Sequence, residues 1–367
     1  VTKDELDRFD GMTLKDILER VPGLIGSSVY MTDRSMISIR GDQISNSGEH
    51  VLLLINGRPL REVLEGGIKS EMLETFPVGA IQRIEVVKGP GSVLYGSTAF
   101  SGVINVITEQ PEKNSFTATG YYGEEGAWGA SGKATVKLGD LYIMAAAQYL
   151  EKADWPINYV SAGPGGNIVD HIDVPNFGGG AYLGANYHDF SVMAAYNDWT
   201  TAYFIPDFES IFPPSHGDAH WRKIFSNFGY DTDVNEYWRT SANLTYTRSL
   251  FDTSLSAFPG VERDSYEALI EWANFITLSD KSRLTLGGVG TRIEGSEFGN
   301  GVQTSKGSRW DAGFYGQMDY QLLKSLKVIA GAQANKIENL DWDVVPRGGV
   351  IWYPIPQLTF KALYGQA

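Results

Sequence analysis

Two histidines offer the first candidate chemistry. His216 and His220 lie four residues apart in His-Gly-Asp-Ala-His, with Asp218 between them. On a helix that spacing can hold a metal ion. Here the segment also carries Phe204, Phe208, Phe212, paired prolines and Trp221, a composition that reads as a long exposed loop. The sequence therefore assigns no metal site and leaves His216 and His220 as its only metal candidates. Gly89-Pro90-Gly91 is the second candidate, as a phosphate cradle. A dinucleotide fingerprint would need glycine where Leu94 stands, and the Gly-Lys-Ser/Thr of a P-loop is absent, so these glycines read as turn chemistry. No Ser/His/Asp order, no recognisable carboxylate pair and no zinc spacing stands out. No catalytic residue and no cofactor is assigned, and an enzyme is not expected.

Composition narrows the class further. The 30 Lys+Arg against 44 Asp+Glu give a formal charge of −14, which argues against nucleic acid as a partner. Cysteine is absent, so disulfide scaffolds, thiolate metal sites and cysteine nucleophiles are excluded. The chain is 43% hydrophobic, too apolar for disorder. Its 12% aromatic content and 42 glycines lean towards strands joined by tight turns. No run reaches the roughly 18 apolar residues of a transmembrane helix. A membrane protein built of strands escapes that test, because alternation hides its apolar face.

The elements that would position any site fall into two grammars. Up to about residue 113 the chain reads as a compact α/β unit. Leu14, Ile17, Leu18 and Val21 recur at helical spacing and Pro22-Gly23 stops the helix. Strands are expected at 36–40, 51–55, 81–88 and 103–108, with a tight turn at Asn56-Gly57. From about Phe116 the period becomes two. Trp238, Thr240, Ala242, Leu244 and Tyr246 face one way and Arg239, Ser241, Asn243, Thr245 and Thr247 the other; 310–320 and 358–364 repeat the pattern. Such alternation serves a soluble sandwich or a transmembrane barrel equally. Three features favour the barrel. The segments are roughly ten residues long. Aromatics such as Trp238, Tyr246, Trp310, Tyr320, Trp352 and Tyr353 recur near their ends. Tight connections (138–141, 279–282) also alternate with long ones (151–177, 201–235, 294–309).

Residues 81–108, IQRIEVVKGPGSVLYGSTAFSGVINVIT, resemble the plug-domain signature of TonB-dependent outer-membrane receptors. Residues 13–24 (TLKDILERVPGL) and 38–59 (SIRGDQISNSGEHVLLLINGRP) resemble two further plug motifs in the same order, and 346–365 resembles a barrel stretch of that family. The resemblance implies a mainly β fold: a transmembrane antiparallel β-barrel of about 22 strands with an N-terminal α/β plug domain inside it. Residues 1–113 would be the plug and 114–367 the first part of the barrel, with about thirteen strands counted by alternation. The remaining strands would come from the same polypeptide or a second chain, and a TonB box would lie upstream of this stretch. The place implied is the bacterial outer membrane, among its lipids, and the activity implied is import of a scarce ligand energised by the TonB periplasmic domain. A ferric siderophore is the default ligand, cobalamin or haem the alternatives, and an ungated channel or assembly component the rival function.

The same resemblance places ligand contacts on plug apical loops, at Asp42, Gln43, Ser45, Asn46, Ser92, Tyr95, Ser97, Thr98 and Phe100. Aromatics in long barrel loops, Trp155, Tyr159, Trp199, Tyr203, Phe204 and Trp221, are expected above them. It implies ionic contacts between plug and barrel through Arg40, Arg83, Glu85 and Lys88.

Overall fold

The structure, a computed structural model, describes residues 1–9, 11–29, 34–42, 50–62, 64, 66–89, 101–110, 112–152, 157–163, 166–172, 175–205, 215–255 and 260–365. The N-terminal unit opens with helices α1 (Lys3–Phe9) and α2 (Leu14–Glu19). Thr13 starts α2 with a capping box, its hydroxyl accepting the Asp16 N–H and the Asp16 carboxylate accepting the Thr13 N–H. Leu14, Ile17 and Leu18 point into the core, as their spacing predicts. The hairpin β1 (Leu24–Val29) and β2 (Arg34–Ile39) follows.

Four further strands, β3 (Val51–Ile55), β4 (Arg58–Leu60), β5 (Ile81–Lys88) and β6 (Gly102–Thr108), form a sheet in the order β4-β3-β6-β5. Helix α3 (Ser70–Thr75) lies between β4 and β5 in sequence. Strand β3 reads Val-Leu-Leu-Leu-Ile and is buried throughout, a strand covered on both faces. At its end Asn56 and Gly57 both take positive φ, +49° and +79°, as a type I′ hairpin turn requires.

The rest of the chain is a meander of long strands: β7 (Ser115–Tyr122), β8 (Trp128–Leu138), β9 (Leu141–Glu151), β10 (Ile157–Gly163), β11 (Gly166–Ile172), β12 (Asn176–Tyr187), β13 (Phe190–Ile205), β14 (Ser215–Asn235), β15 (Trp238–Leu255), β16 (Val261–Ser279), β17 (Ser282–Gly299), β18 (Val302–Leu323), β19 (Leu326–Ile337), β20 (Trp342–Ile355) and β21 (Leu358–Gly365). Thirteen of them make one antiparallel sheet with β7 and β21 at its edges. β10 and β11 form a separate hairpin between β9 and β12. No described helix is long and apolar enough to cross a membrane.

Which face is buried decides between sandwich and barrel. On β15 Leu244 is 55% exposed while its neighbour Thr245 is 1% exposed. Trp238 and Tyr246 share the outer face, as do Trp310, Phe314 and Tyr320 on β18. The apolar face thus looks outward and the polar face looks at the N-terminal unit, the inverse of a water-soluble sandwich.

The connections depart from expectation at one end. Turns at 139–140 and 280–281 are tight, as the sequence suggests. The segments read as long loops are largely strand: β13 runs to Ile205, β14 starts at Ser215, and 294–309 belongs to β17 and β18 around a turn at Asn300-Gly301. Strands reach 22 residues in β18, well beyond the roughly ten that cross a bilayer. Antiparallel pairing satisfies the backbone wherever it occurs, so the hairpins continue past the apolar band.

The N-terminal unit sits against the inward face of this sheet. Its core of Leu14, Ile17, Leu53, Leu73, Phe76 and Ile104 is continuous with Met144, Tyr182, Met193 and Phe225 from β9, β12, β13 and β14. Phe76 meets Tyr182 edge-on, ring centroids 5.8 Å apart.

Candidate functional site

The inward positions of β8, β9, β13, β14 and β16 carry charged and amide groups that apolar burial alone would not tolerate. Several of them find a partner on the N-terminal unit. Arg58, just past the Asn-Gly turn, bonds Glu271 of β16 at 2.5 Å, and Arg61 bonds Glu267 of the same strand at 2.7 Å. Three other pairs have the opposite polarity. Glu71 of α3 faces Lys223 of β14 at 3.3 Å, with both side chains 1% exposed. Glu74 of α3 takes Lys152 at 2.6 Å, and Glu109, one residue past β6, pairs with Lys133 of β8. Neutral bonds fill the gaps: Asn197 donates to the Thr75 hydroxyl at 3.0 Å, and the Val78 N–H donates to Gln148 at 3.1 Å.

One glycine makes this docking possible. A Cβ on Gly180 of β12 would lie 2.1 Å from the Thr75 carbonyl oxygen, so α3 lies directly on the β12 backbone there.

Among the described residues, the charged groups expected at the seam are placed as follows. Arg83 pairs with Glu85 on its own strand at 2.9 Å, because i and i+2 share one face of β5. Lys88 donates to the Pro22 carbonyl within the unit. Arg40 is exposed at the end of β2, with φ of +56°. Arg58 and Arg61 carry the expected kind of contact, plug cation to wall carboxylate, at other positions. The signal for them lay in β16, where Glu267 and Glu271 share one face of a strand otherwise rich in apolar residues.

At the far end of β3 the bases of two loops are tied together. Asp42 accepts from His50 at 2.9 Å and from the Ser101 hydroxyl. The Ser101 N–H donates to the His50 carbonyl and the Gly89 N–H to the Ser101 carbonyl. The Ser101 hydroxyl and the His50 ring both bond the Asp42 carboxylate, which braces the two ends together. The brace ties together residues 42, 50, 89 and 101. Gln43, Ser45, Asn46, Ser92, Tyr95, Ser97, Thr98 and Phe100, expected as ligand contacts, lie outside the described residues, as does Trp155.

The aromatics expected in free loops are placed differently. Trp199 and Trp221 are buried cross-strand partners on β13 and β14, pointing inward over α3. Lys152 lies 5.5 Å from the Trp199 ring and Lys69 6.0 Å from Trp221. Trp221 packs on Phe251, centroids 4.1 Å apart, with Tyr203 beside them and Arg263 5.5 Å above Phe251. They occupy strands because these hairpins continue past the apolar band. Tyr159 falls in β10 and Phe204 in β13.

His216 and His220 likewise stand in β14 and not in a loop. His220 lies between Asp198 at 3.0 Å and Asp252 at 3.5 Å, beside Arg222. Among the described residues no cluster of three ligating side chains could hold a metal.

Residues 1–103 match the TonB-dependent Receptor Plug Domain and residues 154–367 the TonB dependent receptor-like β-barrel. Similar solved structures include the FrpB iron transporter from Neisseria meningitidis (F3-3 variant), at 12% identity and TM-score 0.72, over 100% of this chain and 63% of that one. The siderophore receptor PirA from Acinetobacter baumannii matches at 15% identity and TM-score 0.72, over 100% and 60%. The alcaligin outer-membrane receptor FauA from Bordetella pertussis matches at 13% identity and TM-score 0.69, over 100% and 61%. The chain spans about three fifths of the length of these structures.

Proposed function

Because the chain belongs to the TonB-dependent receptor family, we propose that it is a portion of an outer-membrane receptor that captures a ferric siderophore outside the cell. TonB, engaging the plug from the periplasm, then drives release of that cargo inward. In this reading 1–113 is the plug and 114–367 the opening strands of the barrel.

The observation that carries the reading is the seam. Among the described residues no backbone ladder joins the plug sheet to the thirteen-stranded sheet. Between them run ion pairs, amide bonds and side-chain packing, contacts that can break singly under load. Buried pairs of this kind set register more than they add net stability.

One feature supports the cargo: the similar structures include an iron transporter, a siderophore receptor and an alcaligin receptor. The reading takes Asp42, Gln43, Ser45, Asn46, Ser92, Tyr95, Ser97, Thr98 and Phe100 as ligand contacts.

The test is uptake by a deletion strain carrying the full-length receptor. Radiolabelled iron is supplied as catecholate, hydroxamate or hydroxycarboxylate chelates, with cobalamin and haemin as competitors. One chelate class is expected to bind and enter, and an uncoupler is expected to abolish entry while leaving surface binding intact. Entry that ignores the uncoupler means an ungated channel. Entry of cobalamin or haemin alone changes the cargo.

A further inference from the structure

The outward face of the sheet changes character at one level. Along β14 that face runs through Phe228, Ser226 and Ile224 and then becomes Arg222, His220 and Asp218. On β13 it passes from Val192, Ala194 and Tyr196 to Asp198, and on β15 from Leu244 and Tyr246 to Arg248, Leu250 and Asp252. The change comes on the side away from the tight turns at 188–189 and 236–237. His220 and its neighbours therefore lie past the apolar band, in the polar surroundings that charge requires.

At that level His220 joins three strands. In the register it stands opposite Asp252 of β15 and diagonal to Asp198 of β13. Its Nε2 is 3.0 Å from Asp198 and its Nδ1 is 3.5 Å from Asp252. Each carboxylate has a further partner: Tyr196 donates to Asp198 at 2.8 Å and Arg222 to Asp252 at 2.6 Å. Beside the ring is an open polar hollow of about 550 Å³, to which Asp218 of β14 and Glu262 of β16 add their carboxylates. Arg248 of β15 is engaged by Asp264 of β16 at 2.6 Å.

Both ring nitrogens thus face a carboxylate. A neutral imidazole has one N–H and one lone pair, so it serves one acid and turns a lone pair on the other. Only the imidazolium donates to both. The shorter contact, to Asp198, lies within the β13–β14 hairpin, and the longer one, to Asp252, reaches the β15–β16 hairpin. Loss of the proton therefore releases the link between hairpins and leaves Asp252 to Arg222. The hydrogen bond to Asp198, with the charges of Asp198 and Asp252, holds the imidazole pKa above its ordinary value against partial burial and the Arg222 charge. The ring keeps its proton into less acidic solution than a free histidine does.

We propose that His220 is a proton-operated clasp between the β13–β14 and β15–β16 hairpins, closed onto Asp252 when the ring is charged and released when it is neutral. Acid tightens this rim of the sheet. The contribution is fully present below the pKa of a free histidine and is lost as pH rises through the higher folded value. The clasp goes beyond the receptor reading and stands equally in an ungated channel.

The test uses the full-length receptor in detergent. Deuterium exchange at the histidine C2 position, read by mass spectrometry, gives the titration midpoint of His220. The midpoint is expected above the ordinary value of about 6.5 and should fall in Asp198→Asn. A midpoint at or below the ordinary value overturns the clasp. Backbone exchange over 217–224 and 249–255, corrected for the intrinsic effect of pH, is then compared on the two sides of that midpoint. It is expected to be about threefold faster on the alkaline side, the scale of one partly exposed ion pair. His220→Gln, which keeps a side-chain N–H for one acid, should remove the difference. Asp252→Asn should flatten it with the ring intact, so the result does not hang on one variant assembling well. Equal exchange on both sides in the parent overturns the proposal. So does a difference that survives His220→Gln, which would belong to His216 on the same strand.

Discussion

Lys223 and Glu71 are the most enclosed charges in the seam, 3.3 Å apart and nearly inaccessible. One Glu71 oxygen and the Lys223 ammonium make no hydrogen bond among the described residues, so the pair leans on its mutual attraction. Removing one member leaves the other buried and unpaired, which costs about 3–5 kcal/mol, whereas replacing both with neutral side chains of similar size is close to neutral. Lys223→Ala should therefore lower the denaturant midpoint of the full-length receptor and open the plug to protease. Glu71→Gln with Lys223→Met should restore both, and a single variant as stable as the parent would show that the pair carries no load. Which residues pair was not legible in the sequence, where Arg58 and Glu271 stand 213 positions apart and Arg61 and Glu267 stand 206 apart. Charge and alternation say that an inward acid needs a cation, but not which one. Asp42 is the opposite case, a residue picked out by its place beside an apical loop and found bracing the roots of two loops.

At the scale of elements, legibility followed how many faces a segment buries. Strands β3 and β5 fall at the residues the sequence suggests, because a short apolar run between turn residues has few other solutions. Helix α2 was readable from the spacing of Leu14, Ile17 and Leu18. Helix α3, Ser-Glu-Met-Leu-Glu-Thr, was not. Met72 and Leu73 enter the core while Glu71, Glu74 and Thr75 are buried against the sheet, so the apolar stripe that marks a helix is missing. Its seat was equally hidden, since Gly180 in Phe-Gly-Gly-Gly-Ala looks like one small residue among several. What distinguishes it from Gly178 and Gly179 is that its would-be Cβ meets the plug, 2.1 Å from the Thr75 carbonyl oxygen. Gly180→Ala should force α3 off β12 and cost about 1–3 kcal/mol as overpacking does. Gly184→Ala on the same face, where the nearest atom is the Tyr182 hydroxyl at 3.0 Å, should cost less. Thermal unfolding of the two variants side by side checks the order, and equal losses would mean that the close approach at 180 is relieved elsewhere.

Across the whole molecule the seam has a direction. The turn after β3 presents Arg58 and Arg61 to the acids of β16, while α3 and the end of β6 present Glu71, Glu74 and Glu109 to lysines on the β8, β9 and β14 side. A plug turned about the long axis of the strands would bring like charge against like, so the two polarities together specify one seating. The alternating strands and the plug motifs revealed a filled barrel, but this polarity emerges only when both parts are folded together. It predicts a charge-swap result. Arg61→Glu alone faces the almost fully buried Glu267 and should unseat the plug, seen as rapid proteolysis of residues 1–113 in the full-length receptor. Glu267→Arg added to it should return resistance towards the parent, because the pair is rebuilt in reverse on the same two positions. Glu71→Arg added instead should not, although it restores the net charge equally, since its guanidinium would face Lys223 on the other side. If that second combination rescued as well, net charge and not local polarity would hold the plug, and the seam would have no rotational memory.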